Sequence, residues 1–523
     1  MLFNSFGFIF VFLPITLVAF FALARYSHRL AASWLIAASL FFYAWWNPAY
    51  IALLLTSLLF NYAIGATLVR GRQRMADSRR RVIILFGVAA NLAVLGYYKY
   101  ANFFLANLST VADTNWTLGT IILPLGISFF TFTQIAFLVD AYRGEVRECN
   151  FIHYSLFVTY FPHLLAGPIL HHKEMIPQFA HPDMYRRNYG YIAVGLTVFL
   201  VGLFKKSVLA DGVAPYAPIL FTAADRGHTL TFLEAWAGML SYTMQLYFDF
   251  SGYSDMAIGG SLLFGVKLPL NFYSPYQSVN IFEFWRHWHM TLTRFLRNYV
   301  YAPLSRHSKG GMRLYLSLFV TMLLAGIWHG AGWTFIIFGA LHGIYMVANH
   351  GWRKLRRALG HDLGRSTRAG RALACVITFT AFVLSLVLFR AGSVDTAMAI
   401  LKGMAGMNGW ALPDAGFYEL GVFGSYLKSA GVPFSALSAR ETVEPDAVIW
   451  ISTLLCITFF LPNTQQIMGK FQPALDANLG DKREVPAWLQ WKPNWKWAIG
   501  GGCIALLGVI SITKVSPFLY YQF

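Results

Sequence analysis

Three clusters of polar or ionisable side chains interrupt apolar stretches of this sequence, where burying such groups is costly and usually serves a function. The first cluster, residues 247–255, contains Asp249, Ser251, Ser254 and Asp255. Its carboxylates could orient a histidine or hold an arginine. Alternatively, the run forms a polar turn at a membrane interface, ordered by bonds from side chain to backbone. No serine here stands in a G-x-S-x-G nucleophile elbow, so we interpret the cluster as supporting.

The second cluster, residues 284–299, is rich in cations. At 100° per residue, Arg286, His289, Thr293 and Arg297 fall within about 80° of one another on a helix, with Arg294 on a neighbouring face. Such a stripe could bind a phosphate-bearing donor or a carboxylate. The alternative is an interfacial helix whose arginines reach past aromatic anchors to water. His289 titrates near neutral pH, which favours a role in proton transfer.

The third cluster centres on His329, the one group of residues 314–341 that titrates near neutral pH. Gly326, Gly330 and Gly332 leave room for a ligand or another backbone to approach. A lone histidine on an apolar face is ordinarily a satisfied core residue. In a lipid-embedded helix broken by glycines it becomes a candidate for function, and His342 is a weaker candidate of the same kind.

Neither a metal site nor a disulfide framework is predicted. His171, His172, His287, His289 and His329 match neither H-E-x-x-H nor a Cys/His zinc spacing. The four cysteines are dispersed, so they are interpreted as packing residues, with a nucleophilic Cys149 as the alternative.

The membrane setting follows from composition. The chain is 57% hydrophobic and 12% charged, whereas a soluble domain carries about 25% charged residues. Apolar runs long enough to cross roughly 30 Å of hydrocarbon recur from end to end and predict an all-α polytopic protein with about 11–14 membrane segments. Residues 150–350 are interrupted by Pro, Gly, His and Arg, which predicts re-entrant or broken helices that are buried in protein or line a water-filled cavity.

The formal charge of +18 does not indicate nucleic-acid binding, because many of the cations lie in short loops. Basic loops face the cytoplasm, so loops 70–81 and 353–371 are placed there, and both termini are placed outside. The first apolar run lacks a basic segment and a cleavage site and is interpreted as a retained span. We expect one membrane domain, with N-terminal helices (1–149), a catalytic middle (150–350) and C-terminal helices with an extracytoplasmic tail (351–523).

Trp328-His-Gly, together with the runs 284–290 and 247–255, resembles the membrane-bound O-acyltransferase family, in the bacterial branch typified by the membrane subunit of alginate O-acetylation. Similar blocks follow in order almost end to end, at residues 42–46, 96–103, 123–132, 160–168, 389–391 and 461–466. The resemblance implies helices around a central funnel or tunnel, with His329 as the catalytic histidine and His289 at the second signature position. One departure is Arg286-His287, where the branch usually has two arginines.

The resemblance also implies a reaction. A neutral imidazole would take a proton from a hydroxyl attacking a thioester and return it to the thiolate. Acetyl-coenzyme A is the expected donor substrate, with no bound cofactor, and the acceptor is an extracytoplasmic polysaccharide at the bacterial inner membrane. Tyr520 matches a C-terminal tyrosine proposed to pass the acyl group to a periplasmic O-acetyltransferase of the SGNH type, with Tyr521 where phenylalanine is commoner. An interfacial aromatic anchor is the alternative.

Two other functions stay open at this point. D-alanyl transfer to a cell-wall polymer is the nearest alternative within the family. A membrane transporter or flippase would also have broken helices and buried charge, but its repeated halves are not found. The polymer itself, whether alginate, cellulose, peptidoglycan or another, is not identified by the sequence.

Overall fold

The computed structural model describes residues 1–146, 149–306, 311–414, 421–475, 485–513 and 518–519. Within these ranges the chain is mostly helical with very little strand, which confirms the all-α prediction. The first half contains α1 (Leu13–Ala24), α2 (His28–Ala44), α3 (Tyr50–Arg70), α4 (Asp77–Ala112), α5 (Ile127–Arg143), α6 (Phe151–Thr159), α7 (Phe161–Leu164), α8 (His172–Ala180), α9 (Tyr189–Phe204), α10 (Asp211–Val213), α11 (Tyr216–Asp225) and α12 (Phe232–Leu262).

The second half contains α13 (Ile281–His287), α14 (Met290–Leu296), α15 (Ala302–Ser305), α16 (Met312–His329), α17 (Trp333–Ala358), α18 (Arg368–Arg390), α19 (Val394–Met404), α20 (Gly421–Ser429), α21 (Pro445–Phe460), α22 (Thr464–Ile467) and α23 (Trp495–Ile510). Two short strands, β1 (Leu412–Pro413) and β2 (Phe434–Ser435), pair in parallel. Turns of π-helix cover Gly7–Phe12, Lys205–Ala210 and Arg297–Tyr301.

Six helices of the described chain are long and apolar enough to cross a bilayer, and α21 and α23 are shorter apolar helices. The remaining helices of the middle region are mostly short: α6, α7, α8, α13, α14 and α15 have nine residues or fewer. This agrees with the prediction of broken helices between residues 150 and 350, and the chain is a multi-pass membrane protein.

The chain forms two compact units, each assembled from separate segments. The first comprises Met1–Phe204, Gly252–Asn271 and Thr464–Gln522, and the second comprises Lys205–Ser251 and Phe272–Asn463. Long helix α12 contributes its earlier part to the second unit and its later part to the first.

Glycines bring backbones into contact in the first unit. A Cβ added to Gly259 of α12 would lie 2.5 Å from the carbonyl oxygen of Gly195 of α9, and one added to Gly202 would lie 2.6 Å from that of Gly252. Between apolar helices in lipid, such close packing replaces the hydrophobic driving force available in water.

In the second unit, α16 and α17 form a hairpin that crosses at two glycines. A Cβ on Gly326 would lie 2.4 Å from the carbonyl oxygen of Phe335 and 2.6 Å from the Cα of Gly339. A Cβ on Gly339 would in turn lie 2.7 Å from the carbonyl oxygen of Met322. Only residues without a side chain permit this approach, so the crossing fixes the end of α16 where His329 lies.

We expect Gly339→Ala to destabilise the protein, because the added methyl group would meet backbone that cannot rotate away. The free energy of unfolding in mixed micelles should fall by roughly 1–3 kcal/mol. Gly351→Ala, on the same helix, is the matched control: a Cβ there has no atom within 4 Å, so stability should hold or rise by up to about 1 kcal/mol. Equal stabilities of the two variants would contradict the glycine crossing.

Candidate active site

His329 is the last residue of α16 and is buried, with 6% of its surface exposed. The helix stops there because Gly330 turns to extended backbone (φ −165°, ψ 159°). Three aromatic rings surround the imidazole: the ring of Trp328 at 4.9 Å between centroids, that of Phe389 at 5.0 Å and that of Phe338 at 6.0 Å. The side chain therefore lies in a mainly apolar enclosure at a break in a membrane helix.

The position of His329 at a helix end has an electrostatic consequence. The last carbonyl groups of a helix are unsatisfied and carry partial negative charge. A cation at the last turn is stabilised by this charge. An imidazole at the end of α16 is thus placed where the imidazolium formed on accepting a proton gains stabilisation from the helix.

His289 does not lie on a helix. The Trp288 N–H closes α13 on the carbonyl oxygen of Phe284 at 2.8 Å, while the carbonyl of His287 accepts from the Tyr273 N–H at 3.0 Å. His289 itself adopts left-handed backbone (φ 41°, ψ 53°) and α14 begins at the next residue. A non-glycine residue held in this conformation stores about 1–3 kcal/mol of strain, and such residues cluster at functional sites.

The predicted cationic stripe is therefore wrong, because the helix that would carry Arg286, His289, Thr293 and Arg297 on one face is interrupted at Trp288 and His289. Arg286 and Arg297 are exposed, Arg294 is half-buried and His289 is buried. The role of the three arginines in donor binding stays a prediction, without the shared face on which it was based.

The structure brings His289 and His329 together around one tryptophan. The ring of Trp328, already against His329, lies 6.1 Å from that of His289. The His289 ring also contacts the Phe250 ring, nearly at right angles and with 4.9 Å between centroids. Two histidines from distant parts of the sequence thus share one aromatic neighbour in the second unit.

His289 lies outside the six long apolar helices and is 1% exposed. Burial lowers the pKa of His289 to about 3, and a hydrogen bond to its own backbone opposes part of this shift. The imidazole is therefore neutral at physiological pH, with one N–H to donate and one nitrogen able to accept.

The polar cluster of residues 247–255 lies in the middle of α12, so the alternative of a polar turn is wrong. Asp249 is buried, and its Oδ1 lies 2.7 Å from Lys206 Nζ. Lys206 also contacts Asp211 Oδ1 at 2.8 Å. The carboxylate thus holds a lysine of the π-helical turn that follows α9, and not the arginine or histidine we expected.

Sequence reasoning missed Lys206 because Lys205 and Lys206 follow the apolar run ending at Phe204 and resemble the end of a membrane span. In the structure the apolar helix continues from Tyr189 to Val213. The spacing of Lys206 and Asp211, five residues apart, was the signal available: in a π-helix, residues five apart are neighbours.

The other members of the cluster belong to the first unit or have no assigned partner. Asp255 Oδ2 accepts a hydrogen bond from Thr464 Oγ1 at 2.7 Å, and Ser254 Oγ accepts from Asn271 Nδ2 at 3.4 Å. Ser251 is buried in the second unit. These contacts join α12 to neighbouring segments and support a structural role for Asp255 and Ser254.

His342 is a satisfied core histidine. Trp285 Nε1 donates to His342 Nδ1 at 3.3 Å, which leaves the proton on Nε2 to donate to Ser385 Oγ at 3.0 Å. Ser385 Oγ in turn donates to the carbonyl oxygen of Phe382 at 2.7 Å. This chain of bonds ties α13, which precedes His289, to α17 and α18.

Comparisons with known proteins identify the family. Residues 141–389, which contain both histidines, match the membrane-bound O-acyltransferase family, MBOAT. A peptidoglycan O-acetyltransferase from Helicobacter pylori is 42% identical over 439 residues, covering 79% of this chain and 81% of the relative. This chain is a membrane-bound O-acyltransferase. The resemblance drawn from the sequence blocks is confirmed, and the chain is an acyltransferase.

Two further relatives show the breadth of the family. A probable alginate O-acetylase from Pseudomonas putida is 35% identical over 534 residues and covers 100% of both chains. A teichoic acid D-alanyltransferase from Streptococcus thermophilus is 27% identical over 285 residues, covering 51% of this chain and 68% of its own length.

The predicted relay residues Tyr520 and Tyr521 lie outside the described residues. Phe518, just before them, is buried in the first unit and its ring stacks on that of Tyr253 at 4.6 Å. Cys149 is half-buried, and its carbonyl oxygen accepts a hydrogen bond from Tyr62 at 3.1 Å.

We expect Lys206→Met to lower the free energy of unfolding by about 3–5 kcal/mol, because it leaves the buried carboxylate of Asp249 and the half-buried one of Asp211 without their cation. Lys206→Met/Asp249→Asn should recover part of this loss. Lys205→Met is the control, since that lysine is partly exposed and should cost less than about 1 kcal/mol. A Lys206→Met variant as stable as Lys205→Met would contradict the buried ion pair.

The lowered pKa of His289 predicts a pH dependence of stability. Between the ordinary histidine pKa of about 6.5 and the folded value of about 3, the unfolded chain binds the extra proton, so stability falls as pH falls. Between pH 6.5 and 5 this contributes about 2 kcal/mol. The loss of thermal stability on acidification should be smaller in His289→Gln. An equal loss in both proteins would show that His289 is not buried in neutral form.

Proposed function

We propose that this chain transfers acetyl groups from a cytoplasmic thioester to an extracytoplasmic polysaccharide, with His329 as the general base. The observation that carries the proposal is the placement of His329: it ends a membrane helix inside an aromatic enclosure shared with His289. Relatives named as a peptidoglycan O-acetyltransferase and a probable alginate O-acetylase support acetyl as the group transferred.

In the proposed reaction, His329 accepts the proton of an acceptor hydroxyl. At the same time the hydroxyl oxygen attacks the thioester carbonyl carbon. A C–O bond forms and the carbonyl electrons move to oxygen, which gives a tetrahedral oxyanion. Collapse of this intermediate breaks the C–S bond. The thiolate leaves with the proton returned by the imidazolium, so the products are an ester and a free thiol.

The side chains and helix end around His329 are suited to these reaction steps. The C-terminal end of α16 stabilises the imidazolium. His289, neutral and within the same aromatic cluster, is assigned to donate a hydrogen bond to the developing oxyanion, the type of interaction that contributes most in acyl transfer. Trp328, Phe338 and Phe389 keep bulk water from the imidazole, which strengthens these interactions and limits hydrolysis of the thioester.

We also propose the acetyl donor, the orientation of the chain in the membrane and the partner enzyme. Acetyl-coenzyme A is the proposed donor, and Arg286, Arg294 and Arg297 are its proposed anionic contacts. The chain is placed in the bacterial inner membrane with both termini outside, as the basic loops suggest. Tyr520, with Tyr521 beside it, is proposed to pass the acetyl group to a periplasmic O-acetyltransferase of the SGNH type, which then esterifies the polymer.

The test is release of coenzyme A from labelled acetyl-coenzyme A by purified protein with a hydroxyl acceptor. His329→Gln should lower kcat by about 10²–10⁴-fold, the usual contribution of a general base. His350→Gln, half-buried on α17 and in ring contact with Phe282 and Tyr315, is the control and should keep its activity. Unchanged turnover in His329→Gln would refute the assignment.

D-alanyl transfer is the second candidate, supported by the similarity to a teichoic acid D-alanyltransferase. The two reactions share the thioester chemistry at His329 and differ in the donor. Turnover of a D-alanyl thioester, but not of acetyl-coenzyme A, would favour this alternative.

A further inference from the structure

The first unit contains a cavity beside the basic loop that joins α3 to α4. The cavity is open to solvent on one side, has a volume of about 660 Å³ and is bordered by the end of α3, the loop and the end of α5. Its lining includes Arg70, Arg72, Gln73, Arg74 and Gly144. Cavities of about 300–1,000 Å³ are the size of ordinary small-molecule sites, so this one is large enough for a ligand bigger than a lone anion.

Arg72 is held in place by the end of α5. Its Nη1 donates to the carbonyl oxygen of Gly144 at 2.9 Å, and Gly144 has left-handed backbone (φ 77°). A Cβ at residue 144 would lie 2.4 Å from the Arg72 Cζ. The glycine therefore leaves room for the guanidinium beside the end of α5, where Arg72 lines one side of the cavity.

Two acidic residues that the structure describes near this loop are engaged with other cations. Asp77 pairs with Arg80 and Arg81 at 3.5 Å each, and Glu145 pairs with Lys173. Residues 70–81 contain six arginines against one aspartate. Among the residues described by the structure, Arg70 and Arg74 have no acidic partner, so the cavity carries an excess of positive charge.

We propose that this cavity is a binding site for a phosphate-bearing ligand. Guanidinium groups bind phosphate oxygens through paired, charge-assisted hydrogen bonds. Arg70 and Arg74 supply the free guanidinium groups, Arg72 forms the fixed wall and Gln73 adds an amide donor. Phosphate binding at this cavity does not require the catalytic role proposed for His329, whereas coenzyme A as its source rests on the proposed donor.

Two sources of phosphate fit this chemistry. By the positive-inside rule the loop faces the cytoplasm, where both anionic phospholipids and a nucleotide-bearing thioester donor are present. Basic pockets between membrane helices on that side are a known way to hold lipid headgroups. The diphosphate of coenzyme A presents the same oxygens.

The experiment uses full-length protein in nanodiscs of phosphatidylcholine alone or mixed with phosphatidylglycerol. Three proteins are compared: wild type, Arg70→Gln/Arg74→Gln, and the control Arg353→Gln/Arg357→Gln. The control removes the same two charges from exposed positions in the other basic segment. Binding of labelled coenzyme A, binding of phosphate-free pantetheine, and retention of phosphatidylglycerol after detergent extraction are measured for each, with thermal stability.

Loss of the two guanidinium groups should weaken binding of the true ligand by about ten-fold or more, while the control changes by less than about two-fold. A loss confined to coenzyme A, with pantetheine unaffected, identifies the donor's phosphates. A loss confined to phosphatidylglycerol identifies a lipid headgroup. If the Arg70→Gln/Arg74→Gln protein binds both probes like the control, the proposal is wrong. Since both side chains are exposed, thermal stability should match wild type.

Discussion

The contact on which the site depends is the meeting of two helix backbones at Gly326 and Gly339. Because neither residue has a side chain, α16 and α17 approach closely enough for backbone atoms to touch across the crossing. His329 lies about one helical turn after Gly326. The backbone contact between Gly326 and Gly339 therefore sets the position of the His329 ring within the aromatic cluster. In lipid, where helices gain little from hydrophobic association, such packing determines which helices pair. The glycine crossing is thus what positions the proposed base.

A second constraint is the free-energy cost of placing polar side chains in hydrocarbon. In this chain, several buried polar side chains have polar partners close to them in space. Lys206 is balanced by Asp249 and Asp211, and His342 has a partner on each ring nitrogen. These groups connect α10, α12, α13 and α18 in the second unit. Because Phe250 follows Asp249 and packs on His289, the ion pair and the ring contact hold the same stretch of α12. Asp249, which stabilises this part of α12, is therefore adjacent in sequence to Phe250, which packs on His289.

Much of this was predictable from the sequence because apolar length and glycine position are local signals. The membrane class and the broken middle region were predicted from patterns within single segments, whereas the two histidines were singled out as candidates and their catalytic roles stay a proposal. The cationic stripe failed because a hydrogen bond from Tyr273 to the carbonyl of His287 competes with the helix, and this partner lies outside the local periodicity. The role of Lys206 was missed in part for the same reason: Asp211, five residues on, gave a local signal, but the other partner, Asp249, is 43 residues away. Contacts between distant segments decided both cases.

The central claim, that His329 is the base in acyl transfer, is tested most directly by single-turnover thioester cleavage, which separates the chemical step from binding and product release. Labelled acetyl-coenzyme A is mixed with an excess of wild type, His329→Gln or His350→Gln, and donor binding and release of coenzyme A are both followed. His329→Gln should bind the donor like wild type but release coenzyme A about 10²–10⁴-fold more slowly, the usual contribution of a general base. His350→Gln should match wild type in both measurements. A cleavage rate in His329→Gln equal to that of wild type, with the donor bound, would contradict the account.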